Sequence, residues 1–125
     1  MALDIEITGQ GLAARRVTLR GRLDSLTAPQ LETELAPLLD SAQVLSVVFQ
    51  LEALDYISSA GLRCIIRTRK VIEGRGGQVA IVNPQPAVRQ VFEIVKALPR
   101  EQVFASEAEL DSYLDAMQRK ARGQA

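Results

Sequence analysis

Two adjacent hydroxyls, Ser58 and Ser59, stand where an apolar run gives way to helical spacing, within Leu54-Asp55-Tyr56-Ile57-Ser58-Ser59-Ala60-Gly61-Leu62-Arg63. The first turn of a helix carries unpaired N–H donors and the positive end of the helix dipole, so it suits an anion. A serine at that place can cap the helix by itself, and the same place can hold a phosphate attached to that serine. Capping preference puts Ser58 at the cap and Ser59 at the first helical position. Ala60 and Gly61 are small, so a partner's backbone or a nucleotide phosphate could approach closely. A glycine inside a helix costs roughly 1 kcal/mol against alanine, which asks for a reason. Arg63, Arg67 and Lys70 follow at i+4, i+8 and i+11 from Ser59 and share its helix face. That basic stripe reads either as a solvated face or as a docking surface for an acidic partner.

A second hydroxyl- and carboxylate-rich stretch, Asp24-Ser25-Leu26-Thr27, also joins a strand to a helix. Asp24 reads either as a turn residue bonding nearby backbone N–H groups or as part of a binding edge. Tyr56 reads either as a partly exposed contact or as packing beneath the serine loop.

Other chemistries are disfavoured by what is missing. The 125 residues include no histidine and one cysteine, Cys64. There is therefore no Ser-His or Cys-His pair, no imidazole ligand, no zinc site and no internal disulfide. Cys64 reads as a core filler. The carboxylates Asp4, Asp24, Asp40, Glu52 and Asp55 are scattered, so no self-contained enzyme, metal or cofactor is expected. Fifteen basic residues balance fifteen acidic ones, so no global field points to nucleic acid or a membrane surface. No apolar run is long enough to span a bilayer, and Met1-Ala2-Leu3-Asp4 lacks the features of a signal peptide. The expectation is a cytoplasmic protein.

These residues must be positioned by strands and helices in alternation. Leu3–Ile7 and Val17–Leu23 alternate with period two and read as a hairpin. Thr27 reads as the N-cap of a first helix carrying Leu31, Leu35, Leu38 and Leu39, with Pro29 in its first turn. Val44–Leu51 is nearly all apolar, as for a central strand covered on both faces. The helix after the serines carries Leu62, Ile65, Ile66 and Ile72, and Gly74 to Gly77 stop it. Gln78–Val82 reads as another buried strand closed by Asn83-Pro84. Pro86 opens a third helix with Val88, Val91, Phe92 and Val95 inward, and Pro99 ends it. Gln102–Ala105 reads as a short last strand. Ser106 with Glu109 makes a capping box for a final helix bearing Leu110, Tyr113, Leu114 and Met117. The expected fold class is α/β: one domain over residues 1–118, a mixed, mostly parallel sheet of four to five strands with about four helices, then a frayed tail over 119–125. In such a sheet the loops after the strands share one edge, where sites are built.

The chain resembles the STAS domain of bacterial anti-sigma factor antagonists. The likeness is carried by Gly21-Arg22-Leu23-Asp24 with Thr27-Ala28, by the apolar strand, by Ser58-Ser59-Ala60-Gly61-Leu62, and by Gly76-Gly77 and Asn83-Pro84 through Phe92. The resemblance implies that the serine two positions before the Gly-Leu pair, Ser59, is phosphorylated, with Ser58 the runner-up. The family often has an aspartate where this chain has Ser58. It implies partner switching. The unphosphorylated antagonist binds an anti-sigma factor that is also a serine kinase of the ATP-binding, histidine-kinase-like type. Phosphorylation releases it, and a metal-dependent serine phosphatase resets it. The implied binding edge comprises Asp24, Ser25, Thr27, Tyr56, Ser58, Ser59, Ala60, Gly61, Arg63 and Arg67, on a monomer or weak dimer. The competing reading is a non-switching STAS scaffold or a small-ligand-binding module in a signalling complex.

Overall fold

The two alternating segments at the start of the chain pair as a hairpin. In the computed structural model, which describes residues 3–97 and 107–121, β1 (Leu3–Gln10) lies antiparallel to β2 (Ala14–Leu23). From β2 the chain runs through α1 (Ala28–Asp40), β3 (Ser46–Ile57), α2 (Ser59–Gly74), β4 (Gln78–Val82), α3 (Pro86–Ala97) and α4 (Glu107–Ala121). The sheet order is β1-β2-β3-β4, with β3 parallel to both β2 and β4. This is the mixed α/β sheet with four helices that the sequence leads one to expect. The short strand expected at Gln102–Ala105, the helix stop at Pro99 and the Ser106 cap lie outside the described residues. So do the side chains of Val95, Leu110 and Tyr113. The last helix continues through Ala121, where Arg119 pairs with Asp115 one turn back.

Apolar spacing on each element builds one core. Phe49, Leu19, Leu23, Leu31, Leu35, Leu51, Leu54, Ile57, Ile72 and Leu114 are among its fully buried side chains, each of which contributes roughly 1.5–3 kcal/mol through the apolar area it withdraws from water. Leu62, Ile65, Val88 and Val91 complete the inner helix faces, with Ile66, Leu39, Phe92 and Met117 half-buried against them. Among the described residues no helix is long and apolar enough to cross a membrane.

Two strands differ from their sequence reading. β4 was expected to be buried, yet none of its five residues is, because it lies at the end of the described sheet. β3 is 12 residues long and continues to Ile57, well past Leu51. Its extension runs beyond β4, whose last residue, Val82, pairs with Gln50. Glu52, Ala53 and Asp55 are exposed there while Leu54, Tyr56 and Ile57 stay buried, and the polar residues disguise the strand as a loop. Before that, β3 buries Val47, Phe49 and Leu51 on one face and leaves Ser46, Val48 and Gln50 half-buried on the other. Full cover on both faces is therefore not observed.

Candidate functional site

The register of the parallel strands places two strand-to-helix junctions side by side. Leu23 at the end of β2 is opposite Ile57 at the end of β3. The Ser58 N–H donates to the Leu23 carbonyl at 2.9 Å. α1 and α2 therefore both start at the same edge of the sheet, at the carboxyl ends of the parallel strands.

The first junction is shaped by irregularity in β2. The pairing with β3 slips between Thr18 and Arg20 and again between Gly21 and Arg22. Gly21 sits at φ 102, a region that favours glycine. Such bulges re-aim the residues that follow them. One of those residues is Asp24. Its Oδ1 accepts the Leu26 N–H at 2.9 Å and the Thr27 N–H at 3.1 Å, and its Oδ2 accepts from Arg22 Nε at 2.9 Å. Partial burial alone would raise the Asp24 pKa. The bonds from Arg22, Leu26 and Thr27 outweigh it and hold the carboxyl below its ordinary 3.8. Asp24 is thus the turn residue that one of its two readings described.

Thr27 occupies the N-cap position of α1 but does not cap the helix with its side chain. Its hydroxyl turns back, donating to the Arg22 carbonyl at 2.9 Å and accepting from the Asp24 N–H at 2.9 Å. The expected cap is replaced because the tight turn behind the helix claims the hydroxyl first. Ser25 is exposed, and next to it the Leu26 side chain stands 88% exposed, its backbone fixed by Asp24. Arg22 lies over the ring of Tyr56, with the guanidinium carbon 3.7 Å from the ring centre. Tyr56 is only 4% exposed, so of its two readings the structure takes packing beneath the loop.

At the second junction Ser58 is extended and its hydroxyl accepts the Gly61 N–H at 3.3 Å, the cap expected of it. Ser59 is the first residue of α2. Ser58 is 4% exposed and Ser59 7%. Gly61 is buried, and a Cβ there would lie 2.5 Å from Leu23 Cγ and 3.2 Å from Ile57 Cγ1. The missing side chain at Gly61 thus makes room for Leu23, not for a partner's backbone as expected. Ala60 is half-buried, and Arg63, Arg67 and Lys70 are exposed along α2.

Behind this junction stands Gln118 of α4, which is fully buried. Its Oε1 accepts the Ile57 N–H at 3.0 Å, and its Nε2 donates to the Ile57 carbonyl at 2.8 Å and the Leu114 carbonyl at 3.1 Å.

The structure therefore gathers Asp24, Ser25, Thr27, Tyr56, Ser58, Ser59, Ala60 and Gly61 at one edge, while Arg63 and Arg67 lead away from it along α2. Three residues escape a reading of the sequence. Arg22 was visible as part of Gly21-Arg22-Leu23-Asp24, but nothing local marks it as Asp24's partner. Leu26 was visible as an apolar residue inside a polar turn. Gln118 gave no signal, since a lone glutamine in a helix ordinarily faces water. Cys64 is buried between α1 and α2, its thiol pushed up to about 11 by burial and by the nearby Glu32 carboxylate. It is therefore protonated at neutral pH and inert, the core filler expected. It lines a cleft of about 170 Å³ with Glu32, Leu35, Asp40, Arg67 and Thr68, smaller than the roughly 300–1,000 Å³ of ordinary ligand sites.

Comparison with known proteins bears on the family and the fold. The STAS domain family model matches residues 4–110. BtrV of Bordetella bronchiseptica, a candidate anti-sigma factor antagonist, is 43% identical over 76 residues, covering 61% of this chain and 65% of BtrV. The match thus spans just under two-thirds of that relative's length. An anti-sigma factor antagonist from Mycobacterium paratuberculosis superposes with a TM-score of 0.68 at 20% identity, over 94% of this chain and 95% of its own. The antagonist SpoIIAA in its unphosphorylated form gives 0.64 at 19% identity, over 90% and 98%. SpoIIAA of Bacillus in its phosphorylated form gives 0.62 at 20%, over 74% and 83%. At these identities the structural matches establish the fold, and the family match establishes membership: the chain belongs to the STAS domain family.

Proposed function

We propose that this chain is an anti-sigma factor antagonist that works by partner switching, with Ser59 as the phosphorylated residue. Unphosphorylated, its Asp24–Ser59 edge binds an anti-sigma factor that is also an ATP-dependent serine kinase. Phosphorylation of Ser59 releases it, and a metal-dependent phosphatase restores it. The observation that carries the choice of Ser59 is the division of labour at the start of α2. Ser58 supplies the cap, so the helix does not depend on Ser59 for one. Ser59 stands in the first turn, where the dipole favours a phosphate by up to about 1 kcal/mol. Support comes also from BtrV and from SpoIIAA, which is described in both phosphorylated and unphosphorylated forms.

A phosphoserine adds about −1.5 to −2 charges. Tenfold weaker binding takes only about 1.4 kcal/mol, so like charge and a desolvation penalty at the interface suffice for release without refolding. Ser59 is 7% exposed, so the kinase reaches it when the first turn of α2 opens, and helix ends open at low free energy. The exposed Leu26 and the basic stripe of Arg63 and Arg67 extend the contact surface on either side.

The same low exposure is the observation that favours a second reading, a non-switching scaffold in which Ser59 only begins a helix. Incubation of the purified chain with its partner kinase and ATP, followed by intact-mass measurement, decides between them. Switching requires one added phosphate on the wild type and none on Ser59→Ala, with Ser59→Ala still binding the kinase. No phosphate on the wild type, or the same phosphate on Ser59→Ala, contradicts it.

A further inference from the structure

We propose that Gln118 latches the Ser58–Ser59 turn, so that the seating of α4 sets how readily Ser59 is reached; this rests on Ser59 being the switch residue. β3 runs beyond the last β4 partner, Val82 opposite Gln50. On the β2 side the following residue is held by the bond from the Ser58 N–H to the Leu23 carbonyl. On the other side the Ile57 peptide groups have no described strand to pair with, and the Gln118 side-chain amide takes both of them. An amide that accepts from one residue's N–H and donates to the same residue's carbonyl stands where a neighbouring strand's peptide would stand.

The arrangement is complete in itself. The carbonyl oxygen of Gln118 is used, and its amino group donates to two carbonyls, Ile57 and Leu114. A fully buried amide is tolerated only when its bonds are made, so the bonds at Ile57 form only when α4 is seated. α4 packs on α2 and α3, while Ile57 immediately precedes the capping Ser58 and the first helical Ser59. Withdrawing Gln118 frees the Ile57 peptide and with it the stem of the turn that must open to expose Ser59. Whatever displaces α4 then hastens phosphorylation, and whatever clamps α4 protects the unphosphorylated form.

Gln118→Met keeps length and buried volume and removes the amide. Amide hydrogen exchange on the full chain should be at least tenfold faster from Ile57 to Gly61 than in the wild type. The specificity constant for phosphorylation by the partner kinase should rise by a similar factor. Leu35→Ala, a change in the core-facing side of α1, serves as the control. It should raise exchange at these amides only as much as it raises exchange through the core, and should leave the specificity constant within twofold. In the wild type itself, the Ile57 amide should exchange in step with α4 and not with the Phe49 and Leu51 amides of the same strand. Unchanged exchange at Ile57 in Gln118→Met, or phosphorylation that is equal or slower, overturns the latch. If neither protein accepts phosphate, the reading of Ser59 fails, and the exchange pattern alone decides whether Gln118 holds the turn.

Discussion

The β2–α1 and β3–α2 junctions lie side by side and solve the same problem, the start of a helix after a strand, with opposite means. The first is held by side chains. Asp24 gathers Arg22, Leu26 and Thr27 around one carboxylate, and the Thr27 hydroxyl is drawn into the turn instead of the helix. The second is held by close packing, by one hydroxyl cap and by an amide that reaches in from a distant helix. Gly61 lets α2 sit against Leu23, Ser58 supplies a single cap, and Gln118 secures Ile57 from behind. The first junction presents exposed groups, Ser25 and Leu26, on a charged frame. The second keeps its hydroxyls nearly covered. In the proposed cycle the first junction gives the partner a fixed surface, and the second holds the residue whose chemistry changes.

Substitutions can break this contrast in order of size. Gly61→Val places branched carbons where Leu23 already lies, and overpacking of this kind should cost up to about 3 kcal/mol. Urea unfolding would measure it, and adding Leu23→Ala should recover at least about 1 kcal/mol beyond additivity because the two sites touch. Simple additivity would mean that the close approach of Leu23 does not set the need for glycine.

Asp24→Ala removes the acceptor for two backbone amides and one guanidinium, all partly exposed, and should cost about 1–2 kcal/mol. Its pH dependence has a definite sign. Because the folded pKa lies below 3.8, the contribution of the ionised carboxylate is fully present above that value and is lost as pH falls through the lower folded value. Asp24→Asn should therefore lower stability at neutral pH, converge on the wild type once pH falls below the folded pKa, and so flatten the acid limb of the stability curve. An acid limb identical to that of the wild type would remove Asp24 as the electrostatic centre of the junction.

Ser58→Ala should cost less, about 0.5–1 kcal/mol, since one rather long cap bond is lost. The loss should appear in thermal unfolding, with added hydrogen exchange confined to the first turn of α2. Leu26→Ala should change stability by no more than about 0.5 kcal/mol, because the side chain is in water. In a binding titration with the kinase it should nonetheless weaken association. A stable variant with undiminished binding would remove Leu26 from the proposed partner surface.

Sequence reading recovered what is local. The Ser58 cap and the start of α2 at Ser59 depend on a few consecutive residues, and so do the glycines that stop α2. The turn at Asp24 was legible as one of two readings for the same reason. What escaped depends on residues distant in sequence. The hydroxyl of Thr27 goes to the Arg22 carbonyl because β2 is bulged, and bulges depend on how β3 is paired. Gly61 reads as room for a partner until Leu23 of another strand is placed beside it. β4 looks like a central strand because Val79, Ile81 and Val82 are apolar, and only the sheet order exposes it. Gln118 resembles any solvated glutamine until α4 is laid against the end of β3.

The most direct test of the proposed switch is the affinity of the chain for the proposed kinase partner, measured by calorimetric titration before and after stoichiometric phosphorylation. The account predicts at least a tenfold rise in Kd on phosphorylation, about 1.4 kcal/mol, with Ser59→Ala treated in the same way staying at the unphosphorylated value. Equal affinity for the two forms of the wild type would contradict it.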